Sequence, residues 1–139
     1  MDEVEFKVRT KHVALRVINL VKSLPSTKVA DVIGKQLLRS GTSVGANYRA
    51  ARRGKSPADM IAKLAIVEEE ADESIYWIEL LIDAEIVPAN RLSALLDELN
   101  QIVALTVASQ KTLRRHAPRS RALPARIIQN RESRIQNPK

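Results

Sequence analysis

The side chains that could perform acid–base, nucleophilic or metal chemistry are few and scattered. The chain has two histidines, His12 and His116, and no cysteine. The acidic run 68–73 has the composition of a metal site, but consecutive carboxylates on a helix point in different directions around its axis. Ser40 and Ser43 have no histidine partner on the same helical face. We therefore predict no catalytic residue, no metal site and no cofactor, and a protein that is not an enzyme.

Motifs for phosphate binding and for RNA cleavage are also missing from the sequence. The segment 41–45 has two glycines but lacks the following lysine and the preceding strand of a phosphate-binding loop. One class of all-α ribonucleases places an arginine shortly before a histidine, but Ser109, Gln110 and Lys111 occupy those positions before His116. Stacking of bases on an aromatic platform is disfavoured as well, because only four aromatic residues are present: Phe6, Tyr48, Tyr76 and Trp77.

Helices must position these residues, because apolar side chains recur at spacings of three, four and seven along most of the chain. The pattern predicts helices over about 6–24 and 29–53, and Gly54 is expected to cap the second one. A third helix should begin at Ser56, which is followed by a proline at the first helical position. A fourth should extend from Pro88 to the residues before Pro118.

Four helices joined by short connections favour an all-α fold, an antiparallel up-down-up-down four-helix bundle. We assign residues 1–117 to this bundle and residues 118–139 to a basic C-terminal tail, which we expect to be flexible. No segment has the length and hydrophobicity of a membrane span or a signal peptide. We therefore expect a cytoplasmic protein that does not interact with membranes.

Charge is segregated along the chain, whose formal net charge is +7. Residues 32–58 hold six bases and no acid, whereas residues 59–87 hold nine acids and one base. The tail alone carries +5, because it has six bases and one acid. The bundle therefore has a net charge near zero, with an acidic third helix and basic segments elsewhere.

The predicted topology collects many of the bases at one end of the bundle, where the first helix begins and the second and fourth helices end. We call this end the basic pole. Cations at helix C-termini compensate the helix dipole, which would account for two or three of them. Phosphate binding is the alternative explanation for so many. The candidate nucleic-acid-binding residues are Lys11, Arg49, Arg52, Arg53, Lys55, Lys111, Arg114 and Arg115 in the bundle, and Arg119 and Arg121 in the tail.

Two further features concern packing of the second helix. Antiparallel pairing with the third helix places Arg39 level with Glu73, and we interpret them as a partly buried structural ion pair that fixes the helix register. Gly41 and Gly45 allow another backbone to approach closely. They indicate either tight packing inside the bundle or a contact with another subunit. We expect a subunit contact to lie near the helix face that carries these two glycines.

The segment 36–81 contains a specific combination of residues, namely Gln36, Leu38-Arg39-Ser40, Ser43-Val44, Asn47, the Ser56–Asp59 helix start, Glu73, Trp77 and Leu80-Leu81. With this combination the segment closely resembles the bacterial four helix bundle protein family, first noticed as open reading frames in 23S rRNA intervening sequences. This family is similar to the accessory variability determinant of diversity-generating retroelements. The resemblance extends over about residues 5–116, and many members have Glu-Gly where this chain has Ala51-Arg52, so the basic cluster is stronger here.

The resemblance implies a homopentameric ring without known catalytic activity. By analogy with the retroelement accessory protein, it also implies association with nucleic acid and a reverse transcriptase. We therefore predict a non-enzymatic, oligomeric protein that binds the phosphate backbone of RNA or DNA through the basic pole. A reverse transcriptase is the candidate protein partner. The alternative is a protein–protein interaction scaffold with no direct role in nucleic-acid binding.

Overall fold

The computed structural model describes residues 2–116, which form four helices and no strand. These are α1 (Glu3–Lys22), α2 (Lys28–Arg52), α3 (Pro57–Asp83) and α4 (Ala89–His116). Each helix packs against the next one along the chain, and α1 also reaches α4. The predicted all-α four-helix bundle is confirmed. The predicted tail 118–139, with Arg119 and Arg121, lies outside the described residues.

Polar caps explain where the first three helices begin. The side chains of Asp2, Thr27 and Ser56 accept hydrogen bonds from the backbone N–H three residues later, at 2.7, 3.2 and 3.1 Å respectively. Each cap satisfies one of the N–H groups that a helix start leaves without an intrahelical partner. The Ser56 start agrees with the sequence prediction, and α1 begins three residues before the predicted position because Asp2 caps it.

An aliphatic core joins the four helices. Its fully buried side chains include Val17 in α1, Leu37 in α2, Ile78 in α3, and Leu99 and Ile102 in α4. Burial of such side chains supplies most of the stabilisation of a bundle of this kind. The helices are therefore held in a defined order, which fixes the helix ends that form the basic pole.

Glycines in α2 bring that helix close to α1 of the same chain. A Cβ atom at Gly41 would lie 2.8 Å from a γ-methyl of Val17, and one at Gly45 would lie 3.2 Å from the hydroxyl oxygen of Thr10. Packing inside the bundle is thus the role of both glycines. α1 of the same chain therefore packs against both glycines, and a subunit contact near this face stays a prediction.

The end of α2 differs from the sequence prediction. Its C-cap is Arg53, and no glycine among the described residues has a positive φ. A lack of space favours glycine at position 54 instead, since a Cβ atom there would lie 2.5 Å from Cγ of Met60. Within residues 2–116, no helix has the length and hydrophobicity needed to cross a membrane.

Candidate nucleic-acid interface

The ends of all four helices meet at the basic pole. They enclose a cavity of about 350 Å³, which we call the pole cavity. Its lining includes Phe6 near the start of α1, Arg52 at the end of α2, Met60 near the start of α3 and Leu113 near the end of α4. The predicted grouping of these helix ends is therefore what the structure shows.

Most of the candidate basic residues have no acidic partner among the described residues. Arg52 is the exception, since its guanidinium lies 2.9 Å from the carboxylate of Glu3. The same carboxylate lies 3.1 Å from the ammonium of Lys7. These hydrogen bonds lower the pKa of the Glu3 carboxyl. The following seven bases are exposed and form no ion pair within residues 2–116: Lys11, Arg49, Arg53, Lys55, Lys111, Arg114 and Arg115.

Lys11 and Arg49 lie on the flank of the pole, where the outer surfaces of α1 and α2 meet. Both line a groove of about 420 Å³ between the two helices, together with Val8, Thr42 and Ala46. Arg53 and Lys55 occupy the connection between α2 and α3, and the remaining three bases lie in the last two turns of α4. The unpaired charges thus come from three separate parts of the chain.

Asp59 is the acid at the start of α3 and is already engaged. Its carboxylate accepts the backbone N–H of Lys55 at 3.1 Å and the ammonium of Lys63 at 3.3 Å. These two hydrogen bonds lower the pKa of Asp59, so the carboxylate stays ionised and held in place. Because it bonds to the backbone of Lys55, the Lys55 ammonium remains exposed and unpaired within the described chain.

Arg39 and Glu73 belong to a different region, on the outer side of the α2–α3 pair. Arg39 contacts Glu73 and also Glu70, whose carboxylate lies 3.1 Å from the guanidinium. The hydrogen bonds that Arg39 donates to Glu70 and to Glu73 raise the pKa of Arg39. The predicted ion pair between Arg39 and Glu73 is present, but the side chain of Arg39 is 49% exposed, so the pair is not buried at Arg39. Glu70, which shares this guanidinium, was not predicted from the sequence.

The pole cavity combines aromatic, aliphatic and hydroxyl groups. The rings of Phe6 and Tyr48 pack edge to face, with centroids 4.4 Å apart and an interplanar angle of 61°. Tyr48 is only 7% exposed, and burial raises the pKa of its phenol. No hydrogen bond to the Tyr48 hydroxyl is formed by the rest of the described chain. The other polar lining residues are Arg52 and three hydroxyl residues of α4, namely Thr106, Ser109 and Thr112.

The residues considered for catalysis stay apart in the structure. His12 and His116 are both exposed, and they lie on different helices. Across residues 2–116, no three side chains of the histidine, aspartate or glutamate type form a group that could hold a metal ion. Ser40 is buried against Ser74, and their hydroxyl oxygens lie 2.8 Å apart. That pair contributes a polar contact between α2 and α3.

Comparisons with known proteins agree with the fold. The model of a family described as 23S rRNA-intervening sequence protein matches residues 3–108. A crystal structure of a protein with unknown function, from the S23 ribosomal protein family of Bacteroides thetaiotaomicron, is 39% identical in sequence with a TM-score of 0.72. The alignment covers 76% of this chain and 98% of that one. No curated protein matches this chain.

Proposed function

The chain belongs to the 23S rRNA-intervening sequence protein family, and from that premise we propose that it is a non-enzymatic protein that binds the phosphate backbone of RNA or DNA. The observation that carries the proposal is the set of exposed bases at the pole that lack acidic partners within the described chain. Each such cation keeps its full charge available to an anion. A phosphate backbone is the ligand that offers many anions at regular intervals.

Helix dipoles account for only part of this arrangement. Arg114 and Arg115 lie in the last turn of α4, and Arg49 lies in the last turn of α2, where a cation is favoured by the dipole. Lys11 lies in the middle of α1, and Lys55 lies in the connection before α3. Neither position gains from a helix C-terminus, so these bases support an external anionic partner.

We also propose that the protein forms a homo-oligomer, with a pentameric ring as the arrangement that the family resemblance implies. Val4, Val8 and Leu15 form an exposed apolar stripe along the outer side of α1, and Leu38 of α2 is also exposed. Exposed apolar side chains that recur along one helix face are typical of a protein contact. A closed ring would bring the basic poles of its subunits together and increase the local positive potential.

A salt titration tests nucleic-acid binding. The full chain is titrated against a labelled single-stranded RNA, and against DNA of the same sequence, while anisotropy is recorded at several salt concentrations. We expect log K to fall with log salt with a slope of about −3 or steeper, since each neutralised phosphate of a single strand contributes roughly −0.7. Absence of binding at low salt, or a flat salt dependence, would overturn the proposal.

The alternative of a protein interaction scaffold has its own experiment. Exposed bases also attract an acidic protein surface, and a reverse transcriptase is the candidate partner named by the family resemblance. Copurification of one defined protein that survives nuclease treatment would favour the scaffold if the RNA titration is negative. Light scattering gives the assembly state, and a monomer mass at micromolar concentration would contradict the ring.

A further inference from the structure

We propose that the pole cavity receives one unpaired nucleobase of a single-stranded nucleic acid while the surrounding lysine and arginine side chains hold its phosphates. This inference rests on the proposed function and narrows its ligand from any polyanion to a strand with accessible bases. The scarcity of aromatic residues in the sequence disfavoured base stacking. The structure places two of the four aromatic side chains together at the cavity, within the basic pole.

The size of the cavity limits what can enter it. A volume of about 350 Å³ lies at the lower end of the range of roughly 300–1,000 Å³ that is typical of small-molecule pockets. A single planar ring system fits such a space, but a helix or a folded peptide segment does not. The cavity is also open at the pole, as shown by the exposed Ala108 and Arg52 among its lining residues.

The lining suits a heterocyclic base better than an aliphatic chain. Phe6 and Tyr48, each 7% exposed, contribute an aromatic wall to the cavity lining, and a base of any identity can pack against its accessible part. Thr106, Ser109 and Thr112 donate their hydroxyl hydrogens to carbonyls of their own helix at 2.6, 2.9 and 3.0 Å. Their oxygens therefore keep lone pairs for the amino groups at a base edge.

The Tyr48 hydroxyl is a further polar group at the cavity. It has no hydrogen-bond partner among residues 2–116 and keeps contact with solvent, so it is available to a ligand. Arg52 also lines the cavity, and Arg49 and Arg53 are exposed in the same stretch of α2 and its C-cap. These cations lie at the same pole as the cavity, so they are placed to attract the phosphates of a strand whose base enters it.

The experiment compares single strands that differ only in their bases. A labelled oligonucleotide and its abasic counterpart of equal length and charge are titrated at the same salt concentration. We expect the abasic strand to bind about tenfold more weakly, because stacking on an aromatic wall is lost. A duplex should also bind more weakly than the single strand, since its bases are not free to enter the cavity.

Two matched variants test whether the contribution of the nucleobase to affinity arises at the pole cavity. Ala108 is exposed and lines the cavity, whereas Ala104, one turn earlier on α4, is exposed and does not. The variant A108L should weaken binding of the normal strand about tenfold and leave binding of the abasic strand and the salt slope unchanged. The variant A104L should change none of these, and circular dichroism melting checks that both variants fold.

Each result has a defined meaning for the two proposals. Equal binding of the normal and abasic strands would overturn base insertion while leaving phosphate binding intact. An equal loss of affinity in A108L and A104L would also overturn it. No binding of any strand at low salt would overturn the proposed function itself, and base insertion with it.

Discussion

Arg9 of α1 and Glu98 of α4 form an ion pair that closes the most open seam of the bundle. The Nε atom of Arg9 donates to Glu98 at 3.2 Å, one Nη atom contacts the same carboxylate, and that Nη also donates to Gln101 at 2.9 Å. The pole cavity lies on one side of this ion pair. A second cavity of about 270 Å³, lined by Arg16 and Arg91 among others, lies on the other side. This ion pair is therefore a polar contact that links the first and last helices at the surface of the shared core.

The variant Glu98→Gln should destabilise the bundle. The side chains of Arg9 and Glu98 are only 22% and 21% exposed, so the hydrogen bonds between them are partly shielded from water. We expect the free energy of unfolding to fall by about 1–2 kcal/mol at neutral pH, as for hydrogen bonds between charged groups. Urea denaturation of both proteins measures the difference. Asp72→Asn is the control, because Asp72 is exposed and has no ion pair in the described chain, and it should have almost no effect.

The effect of Glu98→Gln should depend on pH in one direction. Hydrogen bonds from Arg9 lower the pKa of Glu98 in the folded protein, so folding favours the ionised form. This contribution is fully present above the unfolded pKa of about 4.3 and is lost as the pH falls through the lower folded value. The difference between the two proteins should therefore be constant from pH 7 to about 5 and vanish in stronger acid. A difference that grows on acidification would contradict the assignment.

The sequence was sufficient to predict the four helices but not the contacts between α1 and α4. The apolar periodicity and the Ser56-Pro57 start specify which faces are buried, and the short connections specify the order of the helices. How closely α1 approaches α4 depends on packing across the whole bundle. No local signal therefore pairs Arg9 with Glu98, and none indicates that Phe6 and Tyr48 border a cavity instead of a filled core.

Gly41→Ala should lower stability although alanine is the better helix former. The added Cβ would lie 2.8 and 2.9 Å from the two γ-methyl groups of Val17, which is closer than side chains pack. Overpacking costs about 1–3 kcal/mol and exceeds the gain in helix propensity of about 1 kcal/mol. Thermal melting should thus show a lower Tm for this variant.

Gly45→Ala provides the comparison on the same helix. Its Cβ would meet the Thr10 hydroxyl oxygen at 3.2 Å, where a small shift suffices, so we expect a stability change near zero. Adding Val17→Ala to Gly41→Ala should cost less than the sum of the two single changes, because the clash partner is removed. Additive effects, or stabilisation by Gly41→Ala alone, would show that α1 does not lie against this face.

The end of α3 carries a residue in an unfavourable backbone conformation, and replacing it should stabilise the protein. Glu85 has φ of 60°, while the N–H of Ile86 bonds to the carbonyl of Leu81 and that of Glu85 to the carbonyl of Ile82, both at 2.9 Å. This is the pattern of a Schellman motif, which normally has glycine at the left-handed position. The sequence gives no stop signal here before Pro88, so the end of α3 could not be predicted from residue types.

Glu85→Gly should raise the free energy of unfolding by about 1 kcal/mol, because glycine adopts positive φ without steric cost. Glu85→Asn should give a smaller gain, since asparagine tolerates this conformation better than most residues. The neighbouring Ala84 has a negative φ, so Ala84→Gly serves as the control and should leave stability unchanged or lower it. Equal gains in both glycine variants would argue against relief of backbone strain at position 85.

The predicted helix topology was sufficient to place the candidate basic residues at one pole. It did not show which of them have an acidic partner. The sequence could not distinguish Arg52, which pairs with Glu3, from Arg53, which is exposed. Side-chain reach and the position of Asp2 and Glu3 at the start of α1 decide that difference. The helix register likewise placed Arg39 near Glu73 without indicating that Glu70 shares the same guanidinium.

Neutralising bases at the pole should weaken nucleic-acid binding more than neutralising bases at the opposite end. Arg53→Gln with Lys55→Gln removes two exposed charges from the connection between α2 and α3. If both contact phosphates, the salt slope should become shallower by about 1–2, since each lost contact to a single strand changes it by roughly 0.7. Lys22→Gln with Lys28→Gln removes two exposed charges beside the connection between α1 and α2, at the other pole, and should leave the slope unchanged. Equal effects of the two pairs in the anisotropy titration would mean that RNA responds to net charge alone and that the basic pole is not the binding surface.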